Sequence, residues 1–200
     1  MINGRSARIA RHFTNGGNQM KKVHLWLIVP SAILPYLMLL FVSLIYFSTK
    51  LPLFSQIMEV VFDNNALLVL LFFAFCILFA FILSGVFFLL SIKNQWEPLV
   101  LSKTAMIVKL FQIPAYIAIF ILGLLCMISI FTYAATILFA AFDFICLMLT
   151  GLISSGAVIN TIKTQKLSKK TCFFVLVSQL IFCVDVIATV YLYRQIKKET

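Results

Sequence analysis

Asp143 and Asp185 are the two acidic residues that fall inside the long apolar stretches of this chain. A carboxyl group placed in hydrocarbon is costly, and such groups commonly serve as proton or cation relays or as hydrogen-bonding partners between helices. Each acid has polar company at helical spacing. Thr136, Ala140, Asp143, Thr150 and Ser154 share one helical face, with Gly151 and Ser155 beside it. Ser178, Asp185 and Thr189 share another, with Gln179 flanking it. Small and hydroxylated residues belong where helices touch, because they allow close approach and supply hydrogen bonds. The candidate intramembrane proton or cation site is therefore Asp143, Asp185, Thr150, Ser178 and Thr189. Asp143 lies before the middle of its stretch and Asp185 beyond the middle of its own. In two antiparallel helices both carboxyls would sit about 4–5 Å to the same side of the midplane. Lys109 and His24 read as rim residues, which leaves the acids without a counter-ion, and two facing acids are then expected to share a proton. Three roles compete: neutral acids that hold helices together, a proton or cation relay, and acids whose counter-charge comes from a partner subunit.

The elements that must position these groups are five apolar runs, at 24–47, 66–92, 108–131, 134–158 and 171–193. Each is long enough to cross a hydrocarbon core of about 30 Å. In lipid every backbone donor and acceptor needs an internal partner, so each run is expected to be helical. The fold class is all-α: a polytopic membrane protein built as a bundle of five transmembrane helices. Hydrophobic residues make up 63% of the chain and charged residues 11%, against roughly 45–50% and about 25% in soluble domains, so a soluble core is excluded. Phe72, Phe73, Phe75, Phe79 and Phe81 suit a lipid-facing surface better than a tight helix crossing. The link near Thr132 and Tyr133 is short and uncharged, which predicts a tight hairpin between the third and fourth spans. Pro30, Pro35 and Pro114 each remove a backbone donor and free a carbonyl.

Lys and Arg set the orientation. Arg5, Arg8, Arg11, Lys21, Lys22, Lys93, Lys103, Lys109, Lys163, Lys166, Lys169 and Lys170 fall on one side; Lys50, Arg194, Lys197 and Lys198 fall on the other. The N-terminus is expected in the cytoplasm and the C-terminus outside the cell membrane. The basic tail disagrees, since it would itself prefer the inside; if it is inside, one of the five spans is wrong. Three regions follow: a basic N-terminal segment 1–22, a five-helix transmembrane domain 23–193 and a short basic tail 194–200. The codons for Asn15 to Gln19 can contain a ribosome-binding sequence, which points to Met20 as the natural start. The first run is longer than a signal-peptide core and lacks a cleavage site, so it is a retained span.

Leu53, Phe54, Ile57, Met58, Val61 and Phe62 recur at helical spacing in the loop 48–65, with Pro52 where a helix would begin, predicting a short amphipathic helix in the outer interface. Trp96 reads as an interfacial anchor. The net charge of +10 flanks the apolar runs and does not form a nucleic-acid face. The five cysteines form no CxxC pair and read as buried small hydrophobes. The two histidines, His12 and His24, stand at or outside the membrane edge, so neither a haem nor a metal site is expected and no cofactor is implied.

The stretch from Lys109 to Tyr116, Lys-Leu-Phe-Gln-Ile-Pro-Ala-Tyr, and the later Phe182 to Ala188, Phe-Cys-Val-Asp-Val-Ile-Ala, resemble a group of small multi-pass membrane proteins of Gram-positive bacteria that carry no assigned activity. The resemblance runs from Met20 to the C-terminus. It implies a bacterial membrane protein and brings no site residues. The expected function is that of a small bacterial integral membrane protein without catalytic activity, in an accessory, immunity-like or structural role. The alternative is a proton- or cation-coupled transport component that uses the two carboxyls. A carrier with five spans cannot divide into two equal inverted repeats and would need to dimerise. The expected partners are the lipid bilayer and either a second copy or a partner membrane subunit. HExxH and GxSxG motifs are absent from the sequence, which argues against an enzyme.

Overall fold

The computed structural model describes residues 25–128, 132–164, 167–181 and 184–199. Sequence readings for Met20, His12, His24, the basic N-terminal arm and Cys183 lie outside the described residues. The described chain is helical, with elements α1 Leu25–Phe47, α2 Pro52–Phe62, α3 Ala66–Lys93, α4 Pro98–Met127, α5 Tyr133–Lys163, α6 Lys169–Ser178 and α7 Val184–Lys198. Four of these, α1, α3, α4 and α5, are long and apolar enough to cross a membrane. The protein is an all-helical membrane-embedded bundle, and the fifth apolar run differs from the other four. It is two shorter helices, α6 and α7, instead of one span.

The four long helices close into a ring in which α1 packs on α3, α3 on α5, α5 on α4 and α4 on α1. Consecutive α3 and α4 stand at opposite corners, with no close backbone approach between them among the described residues. Particular side chains fix this order. The helix ladder leaves the Ser31 carbonyl without a donor, because Pro35 has no N–H to give it. Gln112 Nε2 on α4 donates to that carbonyl at 2.7 Å. Tyr36 Oη donates to the Phe111 carbonyl, close to Pro114, and the two rings pack with centroids 5.0 Å apart. At one end of the bundle Asn160 Nδ2 on α5 reaches the carbonyls of Ser91 at 2.9 Å and Trp96 at 3.1 Å. Gly156 permits the α3–α5 approach, since a Cβ there would stand 2.5 Å from Ser91 Oγ.

The expected α4–α5 hairpin is present, with Thr132 Oγ1 donating to the Cys126 carbonyl and Thr136 Oγ1 to that of Gly123. The expected short helix is α2, which buries Met58 and Phe62 against Phe41, Leu44 and Val69 and leaves Leu53, Val60 and Val61 exposed. Asn65 starts α3 by accepting from the Leu67 N–H at 2.9 Å. Phe72, Phe75, Phe79 and Phe81 are exposed, as a lipid-facing surface requires, whereas Phe73, expected with them, turns inward and packs on Phe41 and Phe142. Trp96 lies in the short link between α3 and α4. It is buried, packed edge-on against Phe87 at 5.3 Å.

The direction of α7 follows from one side-chain contact. Ten residues of continuous helix would separate Gln179 from Thr189 by about 15 Å; instead their side chains touch, Gln179 Nε2 to Thr189 Oγ1 at 3.2 Å. The buried Ala188, Leu192 and Ile196 of α7 join Cys172 and Val175 of α6, Leu101, Ala105 and Val108 of α4, and Trp96 in one apolar cluster. Ile119, Phe139 and Phe142, toward the other end of the bundle, belong to a different cluster. So α6 and α7 are antiparallel, and α7 runs back toward the end of the bundle from which α6 enters. With ten residues, α6 reaches about 15 Å, half the depth of a bilayer core.

Candidate functional site

The C-terminal end of α6 and the N-terminal end of α7 meet α4 at Lys109. Lys109 Nζ donates to Asp185 Oδ2 at 2.9 Å and to Gln179 Oε1. Gln179 Nε2 passes the chain on to Thr189 Oγ1, and Thr189 Oγ1 donates to the Asp185 backbone carbonyl at 2.8 Å. The residues are almost fully enclosed: Lys109 is 1% exposed, Gln179 2%, Asp185 5% and Thr189 0%. The sequence places the lysine at the rim, and the structure corrects this. α4 has 30 residues, about 45 Å of helix, so a position well inside its N-terminal end can still be inside the bundle.

The helix break suits the charges placed at it. Gln179 caps the C-terminus of α6, where unpaired carbonyls make the helix end negative, and Lys109 is bonded there. Asp185 lies in the first turn of α7, the positive end. Each charge thus complements one helix dipole as well as the other charge. Backbone interrupted at membrane depth is tolerated only where protein or a water-filled cavity encloses it. Here the enclosing groups are α4, α5 and the hairpin's own side chains.

Of the five residues predicted from the sequence, Asp185 and Thr189 are joined in this network. Ser178 adjoins Gln179 but bonds its own helix, at the Phe174 carbonyl. Thr150 likewise bonds the carbonyls of Cys146 and Leu147. The Gly123–Thr136 bond fixes the antiparallel register of α4 and α5, which carries position 109 level with position 150. A Cβ on Gly151 would stand 4.0 Å from that of Gln179, the same level on the hairpin. Asp143 is then about 10 Å further along the axis. The two acids do not share a depth, and the facing pair expected from the sequence is not formed. Asp185 has a lysine as its counter-ion, while Asp143 Oδ1 is buried without a hydrogen-bond partner. The space between the two levels holds Tyr116, whose hydroxyl donates to Gln112 Oε1 at 3.0 Å.

Lys109 and Gln179 are not among the site residues predicted from the sequence. Both carry a signal: Lys109 follows Pro98, the start of a long helix, by three turns, and Gln179 interrupts an apolar run directly after Ser178. The stretches Lys109 to Tyr116 and Phe182 to Ala188 are the ones this ion pair connects. The arrangement can hold one buried unit of each charge, neutral overall, at the junction of two half-length helices. No known family, curated protein or solved structure matches the chain.

Proposed function

We propose that this is a small multi-pass protein of a bacterial cytoplasmic membrane that works without catalysis, as an accessory or structural component. The supporting observation is the use made of its buried charge. Lys109, Gln179, Asp185 and Thr189 spend their polar groups on one another, and the result holds a re-entrant hairpin to the bundle. The proposed topology has both ends of the described chain on the cytoplasmic side. Its support is the return of α7, which carries Arg194, Lys197 and Lys198 toward Lys93, Lys103 and Lys163. All of the tail's positive charge then obeys the positive-inside preference, which a fifth span would violate.

A second reading, ion-coupled transport, is favoured by one observation: two half-helices meet at charged groups inside the bundle, a common arrangement for coupling sites in carriers. Purified protein in sealed liposomes with a trapped pH dye separates the two. The accessory reading expects proton leak equal to that of empty liposomes under an imposed potassium diffusion potential. A flux that disappears in Asp185→Asn protein would overturn it and put transport first.

A further inference from the structure

The outward faces of α6 and α7 change character along their length in the same way. On α6, Lys169 and Lys170 are exposed, and one turn further in come Phe173 and Phe174, each 70% exposed. On α7 the exposed positions Val184, Ile187, Tyr191, Arg194 and Lys198 recur at helical spacing, apolar beside the buried ion pair and basic at the other end. Positions three or four apart share a helix face. Each helix therefore carries a stripe that is apolar inside the bundle's depth and cationic at its end. The two cationic ends lie level. Gln179 bonds Thr189 across the helices, and Lys170 and Lys198 each stand nine residues from that contact (170 to 179 and 189 to 198). Both are then about 14 Å from it along their own helices, close to the hydrocarbon depth of one leaflet, about 15 Å.

We propose that this face is a binding surface for anionic phospholipid, with the headgroup phosphate among Lys169, Lys170, Arg194 and Lys198 and the acyl chains laid on Phe173, Phe174 and Ile187. A surface that is apolar for one leaflet's depth and cationic beyond it has the profile of a phospholipid in reverse order of charge. Any lipid satisfies the apolar part; the clustered cations are what favour an anionic headgroup over a zwitterionic one. Lysine and arginine stems can lie against hydrocarbon while their charged ends reach the headgroup. Tyr191 stands at the boundary between the two zones, where amphipathic rings settle. Lys197 adds to the positive field, and Glu199 subtracts from it. A second copy is a poorer occupant, because a twofold contact places the same patch on both sides and sets cation against cation. The surface is the same whichever way the chain faces across the membrane, so it does not rest on the topology proposed above.

A tryptophan placed on the face reads which lipid lies there. In the full chain, Trp26→Phe removes an exposed tryptophan and Phe173→Trp installs one on the proposed surface, while Trp96 stays buried. The protein is reconstituted in phosphatidylcholine vesicles containing either brominated phosphatidylglycerol or brominated phosphatidylcholine. The ratio of quenching constants gives the preference of the face for the anionic lipid. One cation near a headgroup is worth about fivefold, so the expected preference is about fivefold or more at low ionic strength. It should shrink in about 1 M salt, where charge acts over only about 3 Å. It should also fall away in Lys169→Gln/Lys170→Gln/Arg194→Gln/Lys198→Gln protein. Phe75→Trp reports from an exposed position on α3, about 27 Å along the helix from Lys93, and is expected to show no preference. No preference at position 173, one undiminished in the four-glutamine protein, or an equal one at position 75 overturns the proposal. Poor quenching at position 173 by both brominated lipids also overturns it, because a second copy or another protein then covers the face. Should the four-glutamine protein fail to fold, Lys169→Gln/Lys170→Gln and Arg194→Gln/Lys198→Gln are measured separately. A lowered preference in both supports the surface, and an unchanged preference in either refutes it.

Discussion

Removing one member of the Lys109–Asp185 pair should be among the most damaging single substitutions in this protein. At 2.9 Å and an effective dielectric of about 20, the gross attraction between the two charges is about 6 kcal/mol. Most of it only offsets the cost of taking both ions out of water, so the pair's net contribution is small. Deleting one partner is different, because the survivor stays buried with nothing to neutralise it; the typical cost is about 3–5 kcal/mol. Asp185→Asn and Lys109→Met should each lose about that much. The double variant Lys109→Met/Asp185→Leu should return to within about 1 kcal/mol of wild type or exceed it, since an apolar pair incurs no desolvation cost. The coupling between the two sites, read from the double-mutant cycle, is then at least about 3 kcal/mol. The assay is SDS-induced unfolding in mixed micelles, followed by the emission of buried Trp96. A single-site loss below about 1 kcal/mol, or a coupling energy indistinguishable from zero, would refute the reasoning and remove the pair from its place as the tie between hairpin and bundle.

Further expectations concern the topology and the packing. A reporter fused after Lys198 should register the same side of the membrane as one inserted beside Lys103; registration on opposite sides would mean that α7 crosses to the far end. Gly156→Ala should destabilise the bundle by about 1 kcal/mol or more through overpacking against Ser91, and Ser91→Ala in the same chain should recover most of the loss in the unfolding assay. Gln112→Leu should cost about 1–3 kcal/mol by leaving the Ser31 carbonyl without a donor. Adding Pro35→Ala should reduce that loss, because an alanine at this position supplies the missing backbone N–H; equal losses in both backgrounds would disprove the repair.

Much of the bundle was legible in the sequence, because hydrocarbon imposes a single rule on the backbone. An apolar run that cannot use water must close its own hydrogen bonds, so α1, α3, α4 and α5 follow from composition and length alone. Pro52 and the apolar spacing after it marked α2, and the exposed phenylalanines of α3 were recognisable as lipid-facing. That Asp185 and Thr189 would be bonded inside the bundle was legible for the same reason: polar groups in lipid need partners. The identity of the partner was not legible. Lys109 stands 70 positions from Gln179 and 76 from Asp185 in the chain, and no periodicity within one helix reports on such a pairing.

The fifth run shows where sequence stops and tertiary structure takes over. By length and hydropathy 171–193 is a span, and neither Gly nor Pro marks a break within it. Its basic tail alone hinted that a crossing was wrong. The hairpin exists because Lys109 on α4 offers charge to a helix end and to a carboxylate at once, and because α7 then finds an apolar groove on α4 to return along. Hydropathy measures each residue's transfer out of water and is blind to which charges meet once there. The amino-acid sequence thus determined that the chain enters the membrane as helices and which of its groups would need partners. The partners, the reversal at the hairpin tip and the separation of Asp143 from Asp185 were decided only when the helices packed.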